Sequence, residues 1–183
     1  MSDYIDFLES HLGEIEAGTS KIEGFQVARF TKGPFPGTVT YSTLGMSHHY
    51  LKSPVSNKEI RMELFFVSYS EPEYDNIPGI LEQVGREALE KHQAYLAGEV
   101  IGPRGKLFEG TQLEALYVAM PVYFPDSFHV FYPENDIPIV QAWLVPITSA
   151  EAGFIRKNGW SKFEDILEKV DPDVIDFNRS SVV

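Results

Sequence analysis

Apolar residues recur every three or four positions in several parts of the chain. Residues 3–17 show this period with acidic residues between the apolar ones, which predicts an amphipathic helix. The longest helix is predicted where Pro78 opens an apolar stripe that continues to Gly98. Two shorter helices are predicted near the end, because residues 148–151 and 161–164 each have Ser or Thr followed three positions later by Glu.

The segments between these helices have the composition of β-strands. Residues 25–30, 38–46 and 59–70 are rich in Val, Thr, Tyr and Phe and are separated by Gly and Pro. A second β block covers residues 113–147, where five prolines predict short strands and edges. This order predicts an α+β fold with a mostly antiparallel mixed sheet, an N-terminal helix, one long central helix and two short C-terminal helices. Residues 1–24 are interpreted as the acidic helix, followed by one globular domain over 25–183.

The composition excludes several classes of protein. With 183 residues, 43% of them hydrophobic, the chain is too apolar to be intrinsically disordered. Because it has no cysteine, disulfides, thiolate nucleophiles, zinc knuckles and iron–sulfur clusters are excluded. The chain has neither a basic leader nor an apolar segment of roughly 18 residues, and a cytoplasmic protein is therefore expected.

Acidic residues outnumber basic ones by 27 to 15, which gives a net charge of −12. This charge disfavours direct binding to nucleic acid or anionic membranes, because both are bound largely through Lys and Arg. The first 24 residues hold six acids against one base, and residues 161–183 hold six against three. The excess favours a basic partner that contacts the two ends of the chain, although it also serves solubility.

No familiar catalytic or cofactor motif occurs in the sequence. Phosphate-binding glycine loops and the hydrolase GxSxG motif are absent, and the clustered carboxylates lack the spacing of a calcium loop. His48 and His49 are neighbours in an extended segment, where their side chains point to opposite faces and cannot readily share a metal. No metal or cofactor is therefore predicted. An enzyme assembled from scattered carboxylates and a histidine such as His129 remains an alternative.

Five segments in a fixed order carry a family resemblance. They are Thr40–Met46, Arg61–Leu64, the long helix, Gly102–Thr111, and a tail of Leu144–Glu151, Asn158-Gly159 and Asp176–Ser181. Together, over about residues 25–181, they resemble the suppressor-of-fused (SUFU) domain family.

The resemblance implies an α+β fold and protein binding without catalysis. Animal members bind zinc-finger transcription factors, whereas compact bacterial members look like immunity proteins of polymorphic toxin systems. This chain has the compact form, so the resemblance implies an immunity protein that binds a basic toxin domain, with a nuclease as one candidate. A regulatory adaptor with an unrelated protein partner is the alternative.

Candidate site residues fall into two groups. Carboxylates in predicted loops are the candidate partner contacts: Glu134, Asp136, Asp171, Asp173 and Asp176. Positions within the family motifs are expected to be structural: Ser42, Thr43, Gly45, Arg61, Glu63, Glu151, Arg179 and Ser180. Among these, Arg61 and Glu63 are expected to form a surface or half-buried pair, Glu151 to cap its helix, and Arg179 to anchor the tail against a carboxylate.

Overall fold

A computed structural model of the chain describes residues 2–21 and 24–183. Their helices and strands are, in chain order, α1 (Ser2–Leu12), β1 (Glu14–Gly18), β2 (Gln26–Thr31), β3 (Thr38–Leu44), β4 (Leu51–Lys52), β5 (Glu59–Tyr69), α2 (Ile77–Lys91), β6 (Val100–Ile101), β7 (Leu113–Ala119), α3 (Asp126–His129), β8 (Val130–Phe131), β9 (Ile139–Thr148), α4 (Ser149–Asn158) and α5 (Trp160–Val170). A 3₁₀ turn, Met46–His48, lies between β3 and β4. The predicted α+β class with a mixed, mostly antiparallel sheet is confirmed.

The chain divides into two compact units. The first contains Met1–Leu96 and Met120–Trp143, and the second contains Ala97–Ala119 and Leu144–Val183. Strand β9 begins in the first unit and ends in the second.

The sheet of the first unit is centred on β5. Strands β1, β2, β3 and β5 are antiparallel neighbours in that order, while β9 lies parallel to β5 on its other side. Most of β5 is buried, and Phe65 on this strand makes edge contacts with the rings of Phe124 and Phe128. Helix α2 covers the sheet, and its Gly85 leaves room for the buried ring of Phe25, which a Cβ atom there would meet. The aromatic residues of the second β block therefore serve mainly as core.

The second unit is held by smaller sets of contacts. Strand β7 lies between β6 and β9 in the strand order, and α4 packs against β7 and α5. Tyr117 contacts the edge of Phe163, and the ring of Phe108 stacks on that of Phe177 with 4.5 Å between centroids.

The helix predicted over residues 3–17 is wrong beyond Leu12. Gly13 has a φ of 96°, a left-handed conformation that ends α1. The next five residues form β1 because the edge of β2 offers them backbone hydrogen bonds. Glu14 and Glu16 thus belong to a strand, where they pair with Lys32 and Arg29, and are not part of a solvated helix face.

The end of the long helix is also corrected, from Gly98 to Lys91. The apolar spacing continues past this point, but His92 has a φ of 50° and closes the helix. The N–H of Lys52 donates to the carbonyl of His92, and the N–H of Ala94 donates to the carbonyl of Lys52, both at 2.9 Å. Hydrogen bonds to Lys52 thus replace the next turn of the helix.

Two other boundaries differ from the patterns. Phe128 and His129 lie within the predicted second β block, but they belong to the one-turn helix α3, and only the two residues of β8 that follow are extended. Helix α5 begins at Trp160 after Gly159, so Ser161 lies inside the helix and makes no cap. The other predicted capping box, Thr148 with Glu151, is confirmed at the start of α4.

Candidate functional site

The 3₁₀ turn of the first unit is held by a buried carboxylate. Glu63 on β5 is completely buried. Its Oε1 accepts the backbone N–H groups of Gly45 and Ser47, each at 3.0 Å, and its Oε2 accepts the hydroxyl of Thr43 at 2.6 Å. Thr43 in turn accepts the N–H of Leu64 at 2.8 Å. Two of the family motifs therefore meet at this turn.

Burial is the largest influence on the pKa of Glu63. Burial raises the pKa of the carboxyl group, and the hydrogen bonds from Ser47, Thr43 and Gly45 offset only part of that rise.

Arg61 lies two residues before Glu63 and binds the same turn. Its Nε donates to the carbonyl of Ser47 at 2.6 Å, and its Nη1 donates to Asp136 at 2.6 Å. The guanidinium also lies 5.6 Å from the centre of the Tyr50 ring. The expected Arg61–Glu63 pair is therefore corrected: each residue binds Ser47, and Arg61 forms its ion pair with Asp136.

Asp136 is fixed by Tyr50 as well as by Arg61. The Tyr50 hydroxyl lies 2.8 Å from both carboxylate oxygens and donates to them. This hydrogen bond is the main reason that the pKa of Asp136 is lowered; the N–H of Ile137 and the charge of Arg61 add to it against the effect of burial. Asp136 is thus an ionised side chain held in one position at the surface.

The Tyr50→Phe variant is expected to raise the pKa of Asp136 towards its ordinary value, because it removes the strongest of these interactions. Because a lowered carboxyl pKa adds stability above the ordinary pKa, the variant should also reduce the loss of stability that follows acidification below it. Carboxyl ¹³C titration by NMR measures this shift. Tyr132→Phe is the matched control, since Tyr132 lies in the same loop and is 74% exposed. Equal Asp136 pKa values in wild type and Tyr50→Phe would contradict the assignment.

A cleft of about 370 Å³ opens beside the turn. Lys21, His48 and Arg61 are its basic lining residues, and none of the described residues that line it is Asp or Glu. Its apolar wall is formed by Ile5, Leu44, Phe131, Pro133 and Ile139. Tyr4 also lines the cleft, and its hydroxyl bonds to the buried amide of Gln141 at 3.0 Å.

The C-terminal motif residues build a separate cluster in the second unit. Glu151 is fully buried and caps α4 as predicted. Arg179 binds both of its carboxylate oxygens, Nη1 to Oε1 at 2.7 Å and Nη2 to Oε2 at 2.9 Å. Nη2 also donates to the carbonyl of Pro146. The anchoring role expected for Arg179 is therefore confirmed.

The remaining motif positions have local roles. Ser42 is buried and its hydroxyl donates to the carbonyl of Thr43. The carbonyl of Ser180 accepts a hydrogen bond from Arg179, while the Ser180 residue itself is exposed.

The candidate partner contacts lie in two places. Glu134 and Asp136 share the loop between β8 and β9 in the first unit. Asp171, which closes α5, and Asp173 and Asp176, which accept backbone N–H groups two residues ahead, lie in the second unit. These hydrogen bonds orient the carboxylates, and their role in partner binding stays a prediction.

Several residues around the turn were missed by sequence reasoning: Tyr4, Lys21, Ser47 and Tyr50. Ser47 and Tyr50 follow the Thr40–Met46 motif by one and four residues, which is the one available signal; Tyr4 and Lys21 come from segments farther away in the chain. His129, considered for an enzyme, has its Nε2 3.2 Å from the carbonyl of Pro121. Within residues 2–21 and 24–183, no three His, Asp or Glu side chains converge as a metal site.

Comparison with known proteins identifies the family. The model of the suppressor of fused protein (SUFU) family matches residues 19–180, and the chain belongs to this family. It is 21% identical to the immunity protein YqcF of Bacillus subtilis (strain 168) over 165 residues, which cover 90% of this chain and 84% of YqcF.

Solved structures share the fold. A SUFU homolog from Neisseria gonorrhoeae superposes with a TM-score of 0.77 at 18% identity, covering 100% of this chain and 98% of the other. A chain of the Sufu–Fu complex gives a TM-score of 0.71 at 14% identity, covering 99% and 91%. Drosophila Suppressor of Fused gives 0.61 at 14% identity, covering 86% of this chain but 42% of the fly protein.

The SUFU family and the immunity protein YqcF are non-enzymatic in kind. The similarity of this chain to them suggests a protein-binding role. In the part of the chain that the structure describes, no helix combines the length and the apolar character needed to cross a membrane.

Proposed function

We propose that this chain is a bacterial immunity protein that acts in the cytoplasm and neutralises a cognate toxin by direct binding. The observation that carries the proposal is the similarity to the immunity protein YqcF, which extends over most of both chains. A nuclease is one toxin class that fits, because an enzyme acting on nucleic acid needs a basic surface and this chain has a net charge of −12.

The surface around the β8–β9 loop has the chemistry of a protein-binding site. Tyr132 and Tyr50 are 74% and 47% exposed, and the carboxylates of Glu134 and Asp136 flank them. Tyrosine is enriched among residues that dominate binding energy, because its large ring loses little conformational entropy when it is buried. We name this set of four residues the tyrosine–acid surface.

Asp136 is prepared for recognition before a partner arrives. Arg61 and Tyr50 hold it in place, so little side-chain entropy is lost when a partner donates to it. Glu134 lies on the same loop and is exposed. Carboxylates at such positions accelerate encounter with a basic partner more than they increase final affinity. Asp171, Asp173 and Asp176 are a second set of proposed contacts.

Toxin binding tests the proposal. The toxin encoded beside this gene is co-expressed with the chain to measure protection, and the purified pair is mixed to measure association and dissociation rates. Tyr132→Ala is expected to weaken binding by about thirtyfold, since central tyrosines contribute about 2 kcal/mol. Glu134→Lys is expected to lower the association rate, and raising ionic strength beyond about 0.1 M should lower that of wild type.

The control for Glu134→Lys is Glu109→Lys, which makes the same change of charge at another exposed carboxylate. Its association rate should remain near that of wild type. Absence of binding and protection at micromolar concentration would overturn the proposal for that toxin. Unchanged binding by both Tyr132→Ala and Glu134→Lys would instead exclude the tyrosine–acid surface.

A regulatory adaptor is the second candidate, favoured by the similarity to a chain of the Sufu–Fu complex. An adaptor would bind a partner that is not toxic when expressed alone. Growth of cells that express the partner without this chain therefore separates the two functions, and a toxin gene beside this gene favours immunity.

A further inference from the structure

We propose that the cleft beside the 3₁₀ turn binds a ligand that has one carboxylate on an apolar body. The cleft is the one lined by Lys21, His48 and Arg61 on its polar side and by Ile5, Phe131 and Ile139 among its apolar residues. This site is separate from toxin neutralisation, and the two can be tested independently.

The donors for a carboxylate are already in place. Arg61 uses Nε and Nη1 to hold Ser47, Asp136 and Ile137, so its guanidinium is fixed. Its Nη2 has no hydrogen bond to any described residue, and Arg61 is one of the residues that line the cleft, so the cleft has a fixed charged side chain that can donate to a carboxylate. Lys21 is exposed and forms no ion pair with any residue in 2–21 or 24–183.

The electrostatics of the cleft favour an anion. Burial lowers the pKa of His48, and the neighbouring charges of Arg61, Lys21 and His49 lower it further. These cationic groups therefore lie close enough to disfavour one another. Glu63 is buried and does not line the cleft, and its carboxylate oxygens already accept hydrogen bonds from Thr43, Gly45 and Ser47. The carboxylate of Asp136 is likewise bound by Arg61 and Tyr50. An anion in the cleft would relieve this repulsion.

The shape and the walls select among anions. A volume of about 370 Å³ is within the range of small-ligand pockets. Inorganic phosphate would leave the apolar wall of Leu44, Phe131, Pro133 and Ile139 uncovered, and the charge of −12 repels polyanions. In a ligand that carries both groups, the carboxylate would contact the basic side of the cleft and the aliphatic or aromatic group would cover its apolar wall. Either a free small acid or the C-terminal residue of a polypeptide supplies this chemistry.

The test compares matched acids and amides. N-acetyl-leucine, hexanoate and a pentapeptide ending in leucine, each as the free acid and as its amide, are titrated into the full chain by calorimetry and ¹H–¹⁵N NMR. Each acid should bind at least about tenfold more tightly than its amide, because a charged hydrogen-bonding group is lost in the amide. The imidazole pKa of His48 should rise when an acid binds, since the ligand adds a negative charge beside Arg61, Lys21 and His49.

Variants assign the binding to the cleft. Lys21→Met and His48→Gln should each weaken binding of the acids by about tenfold, and both change exposed side chains that leave the turn intact. Lys58→Met, at another exposed lysine, is the control and should bind like wild type. Tighter binding of the free pentapeptide than of N-acetyl-leucine indicates a polypeptide terminus, and equal binding indicates a free small acid.

Equal affinity for acids and amides would overturn the proposal, as would unchanged binding by both variants or an unchanged His48 pKa. A Lys21→Met protein that loses the acids yet still binds its toxin shows that the two functions are independent. Failure of toxin binding in wild type has no bearing on these titrations.

Discussion

Replacing Arg179 by methionine is expected to lower the free energy of unfolding by about 3–5 kcal/mol. The reason is that the carboxylate of Glu151 is fully buried and Arg179 supplies its only cation among the described residues. Methionine fills a similar volume but leaves that charge uncompensated. Chemical denaturation at neutral pH measures the loss. Lys169→Met, which changes an exposed side chain near the end of α5, should remain within about 0.5 kcal/mol of wild type.

The pH dependence distinguishes this mechanism from a simple packing defect. Burial raises the pKa of Glu151, but the hydrogen bonds and charge of Arg179, together with the backbone N–H groups of Thr148 and Val182, outweigh it, and the pKa is lowered overall. In wild type the ion pair therefore adds stability above the ordinary glutamate pKa, and this stability is lost as pH falls through the lowered value. Without Arg179, only the backbone N–H groups of Thr148 and Val182 among the described residues oppose the effect of burial, so the pKa of Glu151 should rise and this gain in stability should shrink.

A second substitution checks the assignment. The double variant Arg179→Met, Glu151→Gln removes the uncompensated charge and should recover part of the lost stability. If Arg179→Met costs under about 1 kcal/mol and keeps the wild-type pH profile, the ion pair does not anchor the tail.

Glu63→Leu is expected to destabilise the first unit by about 3 kcal/mol or more. Leucine cannot accept from the N–H groups of Gly45 and Ser47 or from the hydroxyl of Thr43, and each unsatisfied buried donor costs about 1–3 kcal/mol. Glu63→Gln keeps a carbonyl for the two N–H groups, so it should stay within about 1 kcal/mol of wild type. The comparison between Leu and Gln is the measurement, made by urea denaturation.

Glu63 should contribute to the pH profile with the opposite sign from Glu151. Because burial raises its pKa, its protonated form favours the fold, and stability falls as pH rises from the ordinary glutamate pKa through the raised value. Glu63→Gln has no such proton to lose and should show a flatter profile in that range. Equal stability of the Leu and Gln variants would show that the turn does not need an acceptor at this position.

Local patterns predicted the elements whose partners are close in sequence. Strands β2, β3 and β5 have strong β compositions, and the Thr148–Glu151 cap depends on four consecutive residues. The errors arose where distant backbone competed with a local preference. Residues 14–18 pair with the edge of β2 and do not continue the first helix. The residues after Lys91 form backbone hydrogen bonds with Lys52 and do not continue the long helix.

The candidate site was less accessible to sequence reasoning than the fold. The motifs marked Arg61 and Glu63, but nothing in their spacing shows that one is fully buried and that the other pairs with Asp136, 75 residues away. Tyr50 and Lys21 belong to no periodic pattern. Only the fold brings these side chains to the same turn.

The position of strand β1 at the edge of the sheet affects whether two copies of the protein can pair through their strands. Strand β1 ends the strand order among the described residues, and an edge of this kind can recruit the same edge of another copy into a growing fibre. Its ladder shifts register between Ile15 and Ala17, and Glu14 and Glu16 are exposed along it. Two such edges brought together would place these carboxylates opposite one another across an irregular ladder, an arrangement that disfavours pairing between the edges of two copies.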